Sequence, residues 1–401
     1  MPDHDASPGP TLDLPGITVT AATIDPIPDD VALVIDGNEF LGWQEVRVTR
    51  GVERMPSDFS LTVTERFAGM ATDIKIGAPC RLVIEGDLVL TGYVDRYEPS
   101  IDPVGHRVVV YGRGKCADLV DCAAIFEDGA GKELTTQLSA VSARALVEKL
   151  AKPYGITVTA LDGDGPQIPQ FNALLTETPF EIIDRVTRFA RLLAYDDENG
   201  NLVLAQAGTR SMATGFQQGV NVERASVTFA MDQRYSEIQA LLMPVNLLGD
   251  MTEAVGGNTG WNIVHTERDL EVPRRRRRVI IVEQMWGGEE LARQRAAWEV
   301  ARRYGRGKVV TLTTDSWRDG AGSLWQPNTK VSVDLPALKI AEQTMVIAEV
   351  TFRRGMDGTH ADLVLMPEQA FQPEPITLLP TDTQVWKAIR EATQAPNGDS
   401  R

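Results

Sequence analysis

The sequence predicts a mainly β chain with one inserted α+β segment, and three observations carry that prediction. Short apolar or alternating runs separated by turn residues fill residues 31–114 and return after Ser226. Between them lie two stretches with helix-start chemistry. A strand pair in the first half also has an echo in the second.

Residues 1–30 carry six prolines and several aspartates, a composition that packs no core and reads as a flexible arm. Residues 31–114 contain VALVID, EVRVTR, FSLTVT, RLVIEGDLVLTGYV and RVVVYG. Phe59, Leu61 and Val63 alternate with Ser60, Thr62 and Thr64, so one face points inward, and Glu85-Gly86-Asp87 marks a tight hairpin. A small antiparallel barrel or sandwich is the expected form. In residues 115–215, Ser142 caps a helix over ARALVEKLA that stops at Lys152-Pro153-Tyr154-Gly155. Thr178-Pro179-Phe180-Glu181 then forms a capping box with proline at the first helical position, opening a helix expected to run to about Ala194.

Residues 216–371 return to strands: SVTFA, EIQALLMPV, VVTLTT, KVSVDL, TMVIAEVTF and ADLVLM. A glycine-rich stretch with Gly256, Gly257 and Gly260 reads as a mobile loop. A helix is expected over Glu289–Tyr304, with Leu291, Ala297, Trp298, Ala301 and Tyr304 on one side. Residues 372–401 form a proline-rich tail with a short helix near Trp386. The echo pairs Arg81–Ile84 and Leu88–Val94 with Lys330–Val333 and Thr344–Val350, which suggests two similar β domains flanking the α+β insert.

Whole-chain properties narrow the function classes. With 40 basic and 56 acidic side chains the formal charge is −16, which disfavours tight nucleic-acid binding. No apolar run of 18 residues and no basic start with an apolar segment occurs, so neither a membrane-spanning helix nor a signal peptide is expected. Three cysteines, Cys80, Cys116 and Cys122, read as buried thiols in a reduced compartment. Walker A, Gly-x-Ser-x-Gly, His-Glu-x-x-His and Cys-x-x-Cys patterns are all missing, so no catalytic, cofactor or metal residues are assigned. Asp196 and Asp197 stand before Asn199-Gly200 and read as a solvated turn, with a glycosidase carboxylate pair as the competing assignment. The run Arg274, Arg275, Arg276, Arg277 and Arg278 leads into Val279–Val282. Strand alternation would split those side chains between two faces, which favours salt bridges or a subunit contact over a phosphate surface.

Four motifs in order resemble a known family: Gly112-Arg113-Gly114-Lys115-Cys116-Ala117-Asp118-Leu119-Val120-Asp121-Cys122, the Thr178–Glu181 helix start, Arg295-Ala296-Ala297-Trp298-Glu299, and Leu324-Trp325-Gln326-Pro327-Asn328. Together they resemble the baseplate hub of Mu-like contractile-tailed phages, similar to the T-even hub and the base of type VI secretion spikes, over residues 31–371. The resemblance implies a homotrimeric ring in which each subunit gives two related β-barrel tube domains, a pseudo-sixfold arrangement joining a hexameric tail tube to a trimeric spike. It implies partners in the spike, the tube or other hexameric components and the baseplate wedges, with transient passage of DNA. It also implies a place in the virion tail, assembly in the host cytoplasm, no cofactor and no catalysis. An acidic lumen would let DNA slide without sticking. Gly112, Arg113, Asp118, Leu119, Asp121, Phe180, Glu181 and Trp298 are the structural residues of the motifs. Arg274–Arg278, Trp325, Asn328 and the loop at Gly256–Gly260 are the candidate partner contacts. The competing functions are the hub of a contractile injection device without a genome and a tail-associated protein that binds or cleaves cell-wall glycan.

Overall fold

The structure is a computed structural model that describes residues 31–65, 74–103, 105–125, 137–138, 141–168, 171–174, 176–243, 262–283, 288–376 and 378. The expected arm, the Gly256–Gly260 loop and the helix near Trp386 lie outside the described residues. The first part of the chain forms β1 (Val31–Ile35), β2 (Asn38–Phe40), β3 (Glu45–Gly51), β4 (Asp58–Glu65), β5 (Pro79–Ile84), β6 (Asp87–Asp102) and β7 (Gly105–Gly114). The middle part forms α1 (Ala117–Asp121), β8 (Gln137–Leu138), α2 (Ala143–Ala151), β9 (Val158–Ala160), β10 (Phe171–Asn172), α3 (Pro179–Ala190), β11 (Leu193–Asp196) and β12 (Leu202–Ala205). There follow β13 (Arg210–Ser211), β14 (Phe216–Gln217), β15 (Arg224–Phe229), β16 (Glu237–Met243), β17 (Asn262–Arg268), β18 (Arg277–Glu283), α4 (Gly288–Arg306), β19 (Lys308–Thr314), β20 (Thr329–Leu335), β21 (Ile340–Gly355) and β22 (Gly358–Met366).

Fourteen strands join in one sheet whose main path is β15-β19-β22-β21-β3-β4-β7-β6-β5-β1-β2, with β20 on β21 and the short β13 and β14 on β20. The same five-strand order occurs twice, as β3-β4-β7-β6-β5 and as β15-β19-β22-β21-β20, antiparallel throughout. The long strands β6 and β21 both break register part-way, between Val94 and Arg96 and between Ile347 and Glu349. The tight hairpin is present: Glu85 and Gly86 both have positive φ, as a two-residue turn between right-twisted strands requires. Neither five-strand unit closes into a barrel by strand pairing among the described residues.

The two units adjoin in space although the α+β segment separates them in sequence. Glu349–Arg354 of β21 pairs with Val46–Gly51 of β3, and Thr49 and Thr351 meet hydroxyl to hydroxyl at 3.1 Å on that seam. One core lies beneath both, including Val46, Val48, Phe59, Leu61, Val110, Leu312, Trp317, Val350, Phe352 and Leu363. The opposite face is polar, because Arg47, Ser60, Thr311 and Arg353 alternate with those inward residues.

In the middle segment α2 and α3 pack over β9, β11 and β12 around Leu146, Leu150, Ile182, Ile183, Val186 and Leu204. The Ser142 cap and the Thr178/Glu181 capping box are both formed. The second helix ends four residues earlier than expected: Arg191 turns left-handed at φ 58 and Leu193–Asp196 pairs with β12 instead. A third layer sets α4 against β16, β17 and β18. Its buried side chains are Ala292 and Ala296, whereas Ala297, expected on the apolar side, is exposed. Small residues let α4 approach its sheet closely, and a hydrophobic count cannot see that. Cys80 and Cys116 are buried and Cys122 is half-exposed; burial pushes the Cys80 thiol up to about 12.

Gly112 sits where a Cβ would stand 2.4 Å from the Phe59 ring and 2.5 Å from the Tyr93 carbonyl. Gly112→Ala is expected to destabilise the fold by about 1–3 kcal/mol through overpacking. Gly105→Ala, whose Cβ would meet only Thr64 at 3.6 Å, should stay within about 0.5 kcal/mol. Equilibrium denaturation of the two variants beside the parent chain checks this.

Candidate functional site

The Gly112–Cys122 motif forms the seam between the sheet and the α+β segment. Gly114 allows the Asp196 carboxylate to come in, since a Cβ there would stand 2.5 Å from its Oδ2. That carboxylate is buried and accepts from the Ser57 amide at 2.8 Å and the Ser57 hydroxyl at 2.7 Å. Burial raises the Asp196 carboxyl above the usual range, against the opposing effect of the two Ser57 bonds. Arg113 is held between Asp121 and Asp95, and these hydrogen bonds push its guanidinium further up. Leu119 is buried in the α+β core, Asp118 is the acid of the first turn of α1, and Phe180 packs half-buried on the same core. Glu181 accepts from the Thr178 amide at 2.8 Å while its own amide donates to the Thr178 hydroxyl at 3.2 Å.

Trp325 and Asn328, both expected at a partner contact, are sealed inside the subunit. Trp325 stacks on Phe216 with ring centroids 4.4 Å apart and donates to the Ser316 carbonyl at 3.0 Å. Asn328, at φ 59, accepts from the Gly208 amide at 2.7 Å and donates to the Gln206 carbonyl at 2.9 Å. A third bond, to the Tyr195 hydroxyl at 3.2 Å, ties the start of β20 to the α+β segment. They are a core residue and an internal clasp, which corrects the interface expectation. Two aromatic and amide side chains beside a turn look the same in sequence whether the turn faces a neighbour or its own chain.

The five arginines do not act as one patch. Arg276 and Arg278 lie over the Tyr235 ring, which Arg303 of α4 also covers. Arg276 donates to the Asp232 carbonyl at 2.6 Å, Arg275 lies 3.6 Å from Glu237, and Arg278 lies 3.8 Å from Glu299. Arg274, Arg275 and Arg277 are exposed. Nearby, Arg234 is buried and donates from Nε and Nη2 to the two Asp269 oxygens, each at 2.8 Å. Trp298 donates to the Gln372 carbonyl at 2.7 Å, and Arg302 joins the same carbonyl at 3.0 Å and Glu53 at 3.0 Å. The Arg295–Glu299 motif thereby holds the segment after β22 against α4. Sequence reading missed Ser57, Asp95 and Tyr235, whose partners lie 139, 18 and at least 41 residues away, so that no local signal marks them.

The polar face of the fourteen-stranded sheet runs across both five-strand units. Four of its arginines face carboxylates of the same sheet, Arg47 on Asp58 at 2.8 Å, Arg107 on Glu45 at 2.7 Å, Arg353 on Asp362 at 2.7 Å and Arg113 on Asp95, while Arg81 and Arg224 are exposed. Among the described residues no three His, Cys, Asp or Glu side chains gather as metal ligands, and no helix is long and apolar enough to cross a membrane. Asp197 accepts from the Asn199 and Asn201 amides at 2.9 and 2.8 Å, which is a turn. Asp196, expected in the same solvated turn, instead ends β11 buried, with its carboxylate taken by Ser57.

Three family descriptions match in chain order. Residues 30–114 match Mu phage baseplate assembly protein GpP-like, N-terminal; residues 116–206 match baseplate hub protein gp44-like, second domain; residues 288–374 match Mu phage baseplate assembly protein GpP, fourth domain. The baseplate hub protein gp44 of Escherichia phage Mu is 28% identical over 350 residues, covering 85% of this chain and 88% of its own. The 43 kDa tail protein of prophage MuSo2 from Shewanella oneidensis has TM-score 0.74 and 27% identity over 86% of this chain and all of its own. The tail protein of Neisseria meningitidis MC58 has TM-score 0.69 and 19% identity, covering 87% and 99%.

Two outcomes test the clasp and the buried acid. Asn328→Ala leaves the buried Gly208 amide unsatisfied and is expected to lower stability by about 1–3 kcal/mol in a denaturant titration. Because the folded Asp196 carboxyl titrates above its ordinary value, its protonated form favours the fold. That contribution is complete below the ordinary value of 3.8 and is lost as pH rises through the folded value. Thermal melts across that window should show Asp196→Asn removing this loss; an unchanged pH slope would contradict the assignment.

Proposed function

We infer that this chain is a structural baseplate hub of a contractile phage tail of the Mu-like kind, resident in the virion tail. The observation that carries the reading furthest is the twice-used five-strand order in one subunit, together with three baseplate family matches in sequence order. On this reading each five-strand unit is one tube domain, residues 31–114 and 216–371, with residues 115–215 as the α+β domain at the side. Three copies form a homotrimeric ring with six similar units, which adapts a hexameric tail tube to a trimeric spike. The wedges around the ring and the tube above it are the other partners.

The polar sheet face is the surface we assign to the channel. DNA passing it meets several arginines already paired with carboxylates of the sheet, which weakens their hold on phosphates. The expected acidic lumen becomes, on this assignment, a charge-paired one. The protein works by holding and transmitting, not by catalysis: Asp196 and Asp197 are engaged in structural hydrogen bonds, which argues against the glycan-cleaving alternative.

Light scattering on the purified chain, followed by negative-stain imaging of the same peak, is the test. The expected result is three times the 43.9 kDa chain mass with a central hole. A chain that stays monomeric with its spike partner present would sink the adaptor mechanism.

A further inference from the structure

The two five-strand units differ at one connection. In the first unit β3 passes to β4 through residues 52–57, whereas the equivalent strands of the second, β15 and β19, are joined by residues 230–307, which carry β16, β17, β18 and α4. This insert leaves and re-enters the sheet at one point. Phe229 pairs with Lys308 at the end of the β15·β19 ladder, and the Ala230 amide then donates to the Gly307 carbonyl at 2.7 Å. Gly307 permits the crossing, because a Cβ there would stand 2.8 Å from the Ala230 carbonyl oxygen. Just beyond it the chain is already held by the insert: Arg276 and Arg303 donate to the Asp232 and Gln233 carbonyls at 2.6 and 3.0 Å.

The insert has an interior of its own. Ile238, Ala240, Leu242 and Val282 of its three-stranded sheet close on Ala292 and Ala296 of α4, and this cluster takes no described residue from elsewhere in the chain. The seam between α4 and the rest of the subunit is of another kind. Arg302 and Arg306 both reach Glu53, in the short β3–β4 connection, the former at 3.0 Å. Arg295 pairs with Glu374, Gln294 accepts from Arg191 at 2.6 Å, and Trp298 and Arg302 donate to the Gln372 carbonyl. Among these polar links lie a hollow of about 670 Å³ lined by Arg191, Gln206, Ala301 and Pro373, and one of about 390 Å³ lined by Val52, Phe180, Trp298 and Phe371. Backbone meets backbone at Gly305, where a Cβ would stand 2.3 Å from the Ala370 nitrogen, two residues from the crossing. The other side of the seam is fixed. Phe371 is buried in a core with Val52, Tyr195 and Val346, Ile376 and Leu378 pack on the α+β core, and Glu374 also lies 3.6 Å from Arg188 of α3.

We propose that residues 231–306 form a body that turns as a unit about the Ala230/Gly307 crossing, and that Glu53 and residues 372–374 are the latch that holds α4 against the subunit. Apolar packing holds the insert together and holds the sheet together. Partly exposed ion pairs and single hydrogen bonds hold one to the other, and such pairs are individually weak and screened by salt. A seam of polar links around hollows permits relative motion of the bodies on its two sides, and the Gly305 contact, next to the axis, moves least. The device lets a neighbour displace the insert while the fourteen-stranded sheet keeps its shape. It goes beyond the hub reading and does not depend on the ring.

Distances between paired spin labels test it in the full-length chain, with labelled copies diluted into a large excess of unlabelled ones. In a Cys122→Ser background, because Cys122 is the cysteine that is not buried, Leu270→Cys on the insert is combined with Met356→Cys at the β21–β22 turn. Ile101→Cys with Met356→Cys is the control, since both lie on the main sheet, and all three positions are exposed. The Glu53→Gln/Glu374→Gln variant is expected to raise the population of a second insert-to-sheet distance at least about twofold over the parent, with the control distance unchanged. Molar salt should act on the parent in the same direction. A single unchanged distance in both the variant and salt means that packing fixes α4, and it overturns the hinge. Equal broadening of the control pair means that the sheet has loosened with the insert, and it overturns the division into two bodies.

Discussion

The antiparallel contact of β21 with β3 is the constraint on which this subunit depends. β21 is 16 residues long and has β22 on one edge, with β20 and β3 end to end on the other. It belongs to two five-strand units at once. Beneath the contact Val46, Val48, Val350 and Phe352 are all buried in the shared core. Fully burying side chains of this size contributes about 1.5–3 kcal/mol each. The exposed Arg47–Asp58 pair on the other face of the sheet adds at most about 1 kcal/mol. Packing, not charge, decides that the two units are one body.

The α+β segment is attached to that body by close approach. Three glycines, Gly92, Gly112 and Gly114, stand where a Cβ would collide with Arg113, Phe59 and Asp196 respectively. They bring backbone against backbone so that Ser57 can reach the Asp196 carboxylate. Arg50 of β3 adds an ion pair to Glu198 at 3.2 Å, and the Thr91 hydroxyl donates to the Glu198 carbonyl at 3.0 Å. Asn328 makes the matching clasp from the second unit. Both five-strand units thus hold the same small domain, each by a buried polar side chain whose hydrogen bonds are filled within the chain.

Much of this was legible in the sequence where the physics is local. Alternation in FSLTVT and RVVVYG marks strands with one buried face, and Ser142, Thr178 and Glu181 mark helix starts because their side chains bond amides within three residues. The strand-pair echo pointed to a repeat that the sheet order bears out in topology. What sequence could not show is which residues meet across long separations. Trp325 and Asn328 look in sequence like partner contacts because nothing near them announces Phe216, Tyr195 or Gly208. Of the arginine run only Arg277 and Arg278 lie in a strand, so alternation covers just those two, and the ring under Arg276 and Arg278, Tyr235, lies on a different strand's approach and has no local signature. The end of α3 is hidden in sequence because Leu193 and Ala194 continue the apolar pattern of the helix while serving a strand.

The β21·β3 seam also imposes an order on synthesis. Thr49 and Thr351 are 302 residues apart, so the first unit leaves the ribosome long before the strand that covers its edge exists. Until β21 arrives, β3 presents a row of unpaired backbone groups and an apolar face, the condition in which sheets pair with the wrong neighbour. Long-range pairing of this kind also folds slowly, since the intervening loop must close before the contact is rewarded. The late-made strand that unites the subunit therefore sets the time during which a nascent chain is exposed to misassembly, and chain elongation becomes part of how this protein reaches one structure.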